Sequence, residues 1–184
     1  KFNEENIDAN YENYELSDLK NLRFLIEKNQ IFGLNVTIPY KEEVIYYIDE
    51  LDDTCTHIGA VNTLAPQSSG NSLVSIKGYN TDTYGFSQSI KPYLRSYHEN
   101  VLILGTGGAS KAVSHVLKQL NLKVNYITRK LTVDSKDFFG WNELNENMVK
   151  YHKFIINTTP IGMFPNHDQE FSFPYQAITN KHFV

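Results

Sequence analysis

The feature that most constrains the fold is an apolar run that leads directly into a glycine-rich turn. Residues 101–104 are all aliphatic, as in a strand that is buried on both faces of a parallel sheet. The turn that follows consists of Gly105, Thr106, Gly107, Gly108 and Ala109. A helical pattern to about residue 120 and a second strand-like segment over residues 124–128 come next. Strand, glycine turn, helix and strand in this order predict a βαβ unit with a parallel sheet.

The glycine turn has the form of a dinucleotide-binding fingerprint, with Ser110 at the position of its third glycine. Such a site needs a tight turn, here at Gly105, and a residue without a side chain where the pyrophosphate approaches, here at Gly107. The following helix offers free N–H groups and roughly half a positive charge to the phosphates. Because the turn lies between a strand and a helix, its residues are predicted to bind a dinucleotide. A tight turn with only a structural role is the alternative.

The residues at the end of the second strand predict which dinucleotide is bound. Folds that bind NAD place an acidic residue about 20 positions after the turn, where it accepts the ribose hydroxyls. This chain has Thr128, Arg129 and Lys130 there, and the next carboxylate is Asp134. Two cations suit a 2′-phosphate, so NADP is favoured over NAD as the cofactor. The alternative is that Arg129 and Lys130 are solvated loop charges.

A third predicted strand, over residues 153–157 with an apolar centre, leads into a loop that contains Thr159 and Met163. Loops at the carboxyl ends of parallel strands line the ligand cleft of an open α/β sheet. We therefore expect Thr159 and Met163 to lie near the nicotinamide half of the cofactor. On spacing alone, a turn without any ligand is an equal alternative.

Charge and composition exclude several other classes of protein. The net charge of −4 argues against a general nucleic-acid binder, and no apolar run approaches the ~18 residues that a membrane span requires. An aromatic content of 13% excludes a disordered chain. Cys55 is the only cysteine, which excludes an internal disulfide framework and favours a cytoplasmic location. The histidines lack the spacing of metal ligands, so no metal site is predicted.

The first half of the chain has a different pattern, in which helical and strand-like segments alternate. The predicted elements are a helix over residues 16–30, a strand over 34–38, a helix after Pro39, a short helix over 54–58, strands over 60–64 and 73–77, and a helix over 83–93. Three stretches, residues 35–41, 59–63 and 78–82, are polar where a strand or a turn would ordinarily carry no functional groups.

These three polar stretches, in this order and ahead of the glycine turn, closely resemble the shikimate dehydrogenase family. They read Asn-Val-Thr-Ile-Pro-Tyr-Lys, Gly-Ala-Val-Asn-Thr and Gly-Tyr-Asn-Thr-Asp. The resemblance runs from about Ile7 to the last residues, and the four motifs together are specific although each alone is weak. It implies an α/β fold with an N-terminal α/β substrate domain (residues 1–82), a linking helix and connector (83–98) and a Rossmann-like, doubly wound NADP-binding domain (99–184).

The resemblance also implies the reaction and the residues that carry it. Members of the family use NADPH to reduce 3-dehydroshikimate reversibly to shikimate, a small-molecule substrate of the chorismate pathway, in a cleft between two domains. By the family's motifs, Lys41 and Asp82 are the catalytic pair. Thr37 and Asn62 bind the substrate together with that pair. Asp53 matches a position that some members use near the cofactor.

The chemistry of these residue types suits that reaction. Hydride transfer to a ketone leaves an alkoxide, which a lysine ammonium can stabilise and protonate while a carboxylate orients the lysine. Taken singly, each residue has a plainer interpretation: Lys41 as a solvent-facing lysine, Asp82 as a helix N-cap and Asn62 as a partner for buried backbone groups. The combination of motifs favours the catalytic interpretation.

Three alternatives share part of this pattern. A quinate/shikimate dehydrogenase that uses NAD has the same motifs, but residues 128–130 argue against it. A folate-linked methylene dehydrogenase lacks the Asn-Thr-Asp stretch at 80–82, and a non-catalytic ligand sensor on the same fold stays open. The family's opening strand with its Ser-x-Ser turn and its closing glutamine-bearing helix have no match here. An incomplete portion of an enzyme is expected because the remaining motifs are intact, and a degenerate homologue is the alternative. The oligomeric state is left open.

Overall fold

The computed structural model describes residues 2, 4–70, 72–129, 131, 136–164, 168–169 and 172–184. Lys130, which the sequence assigns to the cofactor, lies outside the described residues. Over the part that is described, the chain forms two four-stranded sheets with helices packed against them, which confirms the α/β class. No helix in these ranges is both long and apolar enough to cross a membrane.

The first sheet is built mainly from one long hairpin. Its elements are α1 (Leu22–Lys28), β1 (Leu34–Asn35), a 3₁₀ helix (Glu43–Tyr47), β2 (Glu50–Leu51), α2 (Asp53–Ile58), β3 (Thr63–Ser69) and β4 (Ser72–Tyr79). The strand order is β1-β3-β4-β2, with β2 parallel to β4 and the other pairs antiparallel. Leu22 and Ile26, one turn apart on α1, are buried with Leu64 and Ile76 of the hairpin, so α1 covers one face of this sheet.

The second sheet is parallel throughout. Its elements are α3 (Asp82–Ile90), a 3₁₀ helix (Lys91–Tyr93), β5 (Asn100–Leu104), α4 (Gly108–Gln119), β6 (Lys123–Thr128), β7 (Phe138–Gly140), α5 (Glu146–Tyr151), β8 (Phe154–Asn157) and a 3₁₀ helix (Tyr175–Ala177). The strand order is β7-β6-β5-β8. The chain therefore moves outward from β5 in one direction and returns to its other side with β8. That reversal creates the crevice in which open α/β sheets bind ligands.

Helices cover both faces of the second sheet, as the unbroken apolar run of β5 requires. Val101 and Ile103 pack against Val116 and Leu117 of α4. The residues of opposite parity, including Leu102, are buried in a separate cluster with α5. Successive strand residues point to opposite faces, so a strand covered on both sides carries apolar residues at every position. This part of the chain is therefore doubly wound, as predicted.

Several element boundaries differ from those that the sequence predicts. The first helix covers only Leu22–Lys28, and the segment after Pro39 forms a 3₁₀ helix over Glu43–Tyr47 that buries Val44 alone. A five-residue segment with one buried side chain gains little from packing, and such short pieces often adopt 3₁₀ geometry. Strand β3 runs to Ser69 because backbone pairing with β4 continues past the apolar face, where periodicity gives no signal. Strand β7 was not predicted.

The lone cysteine is part of the first core. Cys55 is fully buried in α2 and forms no disulfide. Burial raises the pKa of its thiol well above the ordinary value, and the neighbouring Asp52 carboxylate acts in the same direction. A thiol held in its protonated form is a poor nucleophile, so Cys55 serves packing and not covalent catalysis.

His152 makes the stability of this fold depend on pH. Its ring is buried after α5, where Nδ1 donates to the carbonyl of Met148 at 2.8 Å, and burial lowers its pKa. The unfolded chain binds a proton near the ordinary value of 6.5 and the folded chain only at lower pH. We therefore expect the free energy of unfolding to fall as the pH drops from about 6.5 through the lower folded-state pKa.

Thermal unfolding of wild type, His152→Gln and His57→Gln between pH 5 and 8 measures this dependence. The slope in that window should shrink in His152→Gln and persist in His57→Gln, because His57 is exposed. Equal slopes in all three proteins would assign the pH dependence to other groups.

Candidate active site

An ion pair between two distant parts of the chain forms the centre of the site. Lys41 lies between the turn at Pro39 and the first 3₁₀ helix, and Asp82 is the first residue of α3. Nζ of Lys41 donates to Oδ2 of Asp82 at 2.7 Å. The side chains are 17% and 37% exposed, so the pair is recessed but reachable from solvent. This exposure contradicts the interpretation of Lys41 as an ordinary solvent-facing lysine.

The second oxygen of Asp82 is held by Asn62, which is buried. Nδ2 of Asn62 donates to Oδ1 of Asp82 at 2.8 Å. Oδ1 of Asn62 accepts the backbone N–H of Thr81 at 2.9 Å and the hydroxyl of Thr63 at 2.9 Å. Two donors on Oδ1 fix the orientation of the amide, so its NH₂ group must face the carboxylate. Asp82 is thereby held between a cation and an amide donor.

Backbone hydrogen bonds bring these three side chains together. The N–H of Asn62 donates to the carbonyl of Tyr79 at 3.0 Å, and the N–H of Val61 donates to the carbonyl of Lys41 at 2.7 Å. Asn80 is buried, and its Nδ2 donates to the carbonyl of Ala60 while its Oδ1 accepts the N–H of Asp82. The start of β3, the end of β4 and the start of α3 therefore form one hydrogen-bonded unit.

The structure does not assign Asp82 the role of a helix N-cap. The N-cap of α3 is Thr81, and the Asp82 carboxylate is engaged by Lys41 and Asn62 instead. Its place in the first turn puts a negative charge at the positive end of the helix. The interpretation of Asp82 as only a cap is therefore wrong, and the carboxylate faces the site.

Thr37 lies at the edge of the site, outside the Asp82 network. It is exposed, and its carbonyl accepts the N–H of Tyr40 at 2.9 Å in the turn that contains the cis Ile38–Pro39 peptide. The structure therefore joins Lys41 and Asn62 through Asp82, and leaves Thr37 exposed in the turn that precedes Lys41.

The glycine turn connects β5 to α4 in the conformation that its sequence predicts. Gly105 has φ of +106°, and a Cβ there would lie 2.9 Å from Oγ1 of Thr158. A Cβ on Gly107 would meet no atom within 4 Å, and no side chain caps α4 at this residue. The start of α4 therefore presents its N–H groups to an open space, as an anion site requires.

The glycine turn touches the ion pair. A Cβ on Gly108 would lie 3.1 Å from Cβ and 3.6 Å from Cδ of Lys41, so only a glycine allows this approach without displacing the lysine. Ala60 is the next nearest neighbour, at 3.8 Å. The glycine turn and Lys41 are thus in direct contact, although they belong to different halves of the chain.

The remaining predicted cofactor residues surround the open end of the second sheet. The hydroxyls of Thr106 and Thr128 lie 3.2 Å apart, and Arg129 is exposed directly after β6. Thr159 Oγ1 donates to Oδ1 of Asn157 at 2.7 Å after β8, and Met163 is exposed further along that loop. The donor set of uncapped N–H groups, two hydroxyls and one guanidinium fits a dinucleotide with an extra phosphate.

Two further observations concern residues around this set. Asp53 is exposed at the start of α2, where its neighbour Asp52 caps the helix by accepting the N–H of Cys55 at 2.7 Å. Sequence reasoning omitted Asn80 and Thr81 from the site, although both lie in the polar stretch 78–82 that it singled out. It also omitted Thr158, whose contact with Gly105 has no local sequence signal.

Comparisons with known proteins show which family this chain is similar to. A family model described as the shikimate dehydrogenase substrate binding domain matches residues 1–64. A shikimate dehydrogenase (NADP(+)) of Methanosphaera stadtmanae is 35% identical over 92% of this chain and 63% of the relative. That of Clostridium beijerinckii is 36% identical over 91% of this chain and 63% of its own length. The chain thus spans less than two thirds of these curated relatives.

Solved structures of shikimate dehydrogenases have a similar fold. Shikimate dehydrogenase 1 from Peptoclostridium difficile is 34% identical with a TM-score of 0.74, covering 90% of this chain and 60% of that one. The shikimate dehydrogenase from Aquifex aeolicus is 29% identical with a TM-score of 0.83, covering 100% of this chain and 69% of that one. Both similarities extend across the two sheets.

Proposed function

We propose that this homologue of the NADP(+)-dependent shikimate dehydrogenases catalyses the reversible reduction of 3-dehydroshikimate to shikimate with NADPH. The observation that carries the proposal is the recessed Lys41–Asp82 pair in contact with an uncapped, glycine-lined helix start. A proton donor next to a dinucleotide site is the minimum equipment for reducing a ketone to an alcohol.

Lys41 and Asp82 would divide the proton chemistry between them. NADPH supplies the hydride when it is bound. As negative charge develops on the substrate oxygen, the Lys41 ammonium stabilises it and then donates a proton to it. Asp82 accepts hydrogen bonds from Lys41 and Asn62, and it would keep Nζ aimed at the reacting oxygen. The Lys41 side chain is 17% exposed, and the lysine would regain its proton from solvent.

Neutral groups next to the pair would bind the substrate ring. A hydroxyl and an amide can each donate and accept, so Thr37 and Asn62 can recognise a polyhydroxylated ring. Asn62 would act from the fixed orientation that Thr63 and Thr81 impose on its amide. Thr37 would act from its exposed position in the turn before Lys41.

The cofactor would lie across the carboxyl ends of β5, β6 and β8. The N–H groups at Gly107, Gly108 and Ala109 would hold the pyrophosphate, with Gly105 and Thr106 shaping the turn. Thr128, Arg129 and Lys130 would hold the 2′-phosphate. In support, the ordinary place of the NAD-selecting carboxylate, at the end of β6, is occupied by these residues. Thr159 and Met163 would contact the nicotinamide, and Asp53 is a further candidate near the cofactor.

We also propose a division of the chain into domains and a cellular location. Residues 1–82 would form the substrate domain, 83–98 the link and 99–184 the NADP-binding domain. The separate buried clusters of the two sheets support this division. A cytoplasmic location is supported by a single cysteine that is buried and free.

The direct test is a steady-state assay of shikimate oxidation with NADP and, separately, with NAD, on the whole protein that contains this chain. Turnover with NADP is the expected result. Binding of shikimate without turnover would mean that the protein is a ligand sensor and not an enzyme. Turnover with NAD alone would overturn the assignment of Arg129.

Arg129→Asp is expected to weaken NADPH binding by tens of fold, because a charge-assisted hydrogen bond contributes about 1.5–3 kcal/mol. NADH binding should not weaken, since NADH has no 2′-phosphate. Lys118→Asp makes the same change of charge on an exposed residue near the end of α4 and serves as the control. Fluorescence titration measures the dissociation constants for NADPH and NADH. An unchanged NADPH affinity in Arg129→Asp would contradict the contact of Arg129 with the 2′-phosphate.

A further inference from the structure

We infer that Glu42 and Lys111 are positioning residues that hold the segment 41–42 against the start of α4. This inference rests on the function proposed above. Nζ of Lys111 donates to Oε2 of Glu42 at 2.5 Å, between residues 69 positions apart. Glu42 directly follows Lys41, and Lys111 is one turn into the helix that begins at the glycine turn. The ion pair therefore joins the two elements that the reaction must bring together.

One face of α4 makes all of these contacts. Gly108, Lys111 and Ala112 are spaced three and four residues apart, so they lie on the same side of the helix. Gly108 approaches the side chain of Lys41, and Ala112 is buried with Ile58 and Ala60. The Glu42–Lys111 ion pair is the polar part of a contact whose other members are Ile58, Ala60, Ala112 and the stem of Lys41.

The position of Lys41 relative to α4 matters more than the position of either element alone. The Lys41 carbonyl is bonded to Val61 and its ammonium to Asp82, so Lys41 moves with the first sheet. A dinucleotide on the glycine turn would move with α4. A displacement between them of about 1 Å is enough to cost roughly 10²-fold in rate. The Glu42–Lys111 pair restrains that displacement at the residue next to Lys41.

The exposure of the pair separates this role from a role in folding. The side chain of Glu42 is 45% exposed and that of Lys111 is 39% exposed. Exposed ion pairs contribute little to folding stability and are weakened by salt. A loss of this pair should therefore appear in kcat and hardly in the melting temperature.

Lys111 could instead bind a cofactor phosphate directly, since it lies near the start of α4. The two roles respond differently to charge reversal. A phosphate contact needs a cation at position 111, whereas an ion pair works with its charges exchanged. The double variant Glu42→Lys/Lys111→Glu restores the pair and leaves an anion next to any phosphate.

The experiment compares wild type, Glu42→Lys, Lys111→Glu and the double variant in the shikimate assay, using the whole protein. Each single reversal places two like charges together and should lower kcat by roughly 5- to 30-fold, the sum of the lost attraction and the new repulsion. The melting temperature should change by no more than about 3 °C. The double variant should recover kcat to within about 3-fold of wild type, with KM for shikimate changed less than kcat. Glu42→Gln should show a smaller loss in the same direction.

A matched ion pair provides the control. Glu146 and Lys150 form an exposed pair at 2.9 Å within α5, and Glu146→Lys should leave kcat unchanged. Single reversals that turn over like wild type would overturn the inference. A double variant as slow as the worse single variant would also overturn it. If that double variant also bound NADPH more weakly than wild type, Lys111 would be assigned to a cofactor phosphate. A wild type that does not oxidise shikimate would instead refute the proposed function, and the inference with it.

Discussion

Lys41→Met is expected to lower kcat for shikimate oxidation by about 10²–10⁴-fold, the contribution of a positioned proton donor and acceptor. The variant loses the ammonium that would stabilise the alkoxide, and it leaves Asp82 without its cation. Methionine keeps the aliphatic stem that lies against Gly108, so the glycine turn should keep its shape. The affinity for NADPH is therefore expected to stay within a few-fold of wild type, and titration with NADPH measures it.

The control for this variant is Lys77→Met. Lys77 lies on β4, and its Nζ is 3.9 Å from Oε2 of Glu50, at a distance too long for a strong hydrogen bond. Its replacement makes the same change of charge in the same half of the chain and should leave kcat near the wild-type value. Equal activities of Lys41→Met and wild type would remove Lys41 from the reaction. A loss of NADPH binding in Lys41→Met would mean that the ammonium also contributes to the cofactor site, because methionine keeps the stem contact with Gly108.

Gly105→Ala is expected to abolish measurable NADPH binding and to destabilise the fold. A side chain at φ of +106° is strained, and its Cβ would lie 2.9 Å from Oγ1 of Thr158. Strain of this kind costs about 1–3 kcal/mol, which for a chain of this size lowers the melting temperature by roughly 3–10 °C. The turn must move to relieve the clash, and the N–H groups at the start of α4 move with it.

Two other glycines separate these effects. A Cβ on Gly107 meets no atom within 4 Å, so Gly107→Ala should keep the melting temperature but weaken NADPH binding, because the methyl group occupies the space of the pyrophosphate. Gly85→Ala, within α3 and also unobstructed, should change neither binding nor activity and slightly raise the melting temperature. Normal NADPH binding by both Gly105→Ala and Gly107→Ala would disprove the cofactor site.

Much of the fold could be predicted because its signals are local. The apolar run of β5, the glycine turn and the helical pattern of α4 follow each other without a break, and each restricts the next. Strand β7, in contrast, has only three residues, and it exists because Phe138 and Phe139 pair with β6. Three residues are too few for any periodic pattern, so only the neighbouring strand determines this element.

The residues of the candidate site were predictable from the sequence, but the hydrogen bonds between them were not. The polar stretches contain Lys41, Asn62 and Asp82, and the resemblance to a family assigned them roles that stay predictions. No pattern in the sequence tells which oxygen of Asp82 each partner takes, or that Thr63 and Thr81 fix the amide of Asn62. Those choices depend on how β3 and β4 pair, which is a property of the assembled sheet.

The amino-acid sequence by itself determined the α/β class, the glycine turn and the set of chemical groups available, because periodicity, turn geometry and residue chemistry act over a few neighbouring residues. Only the tertiary structure decided that Gly108 meets the side chain of Lys41 and that Glu42 pairs with Lys111. Contacts between residues so far apart exist only once both sheets have packed, since chain connectivity places no restraint on them before that.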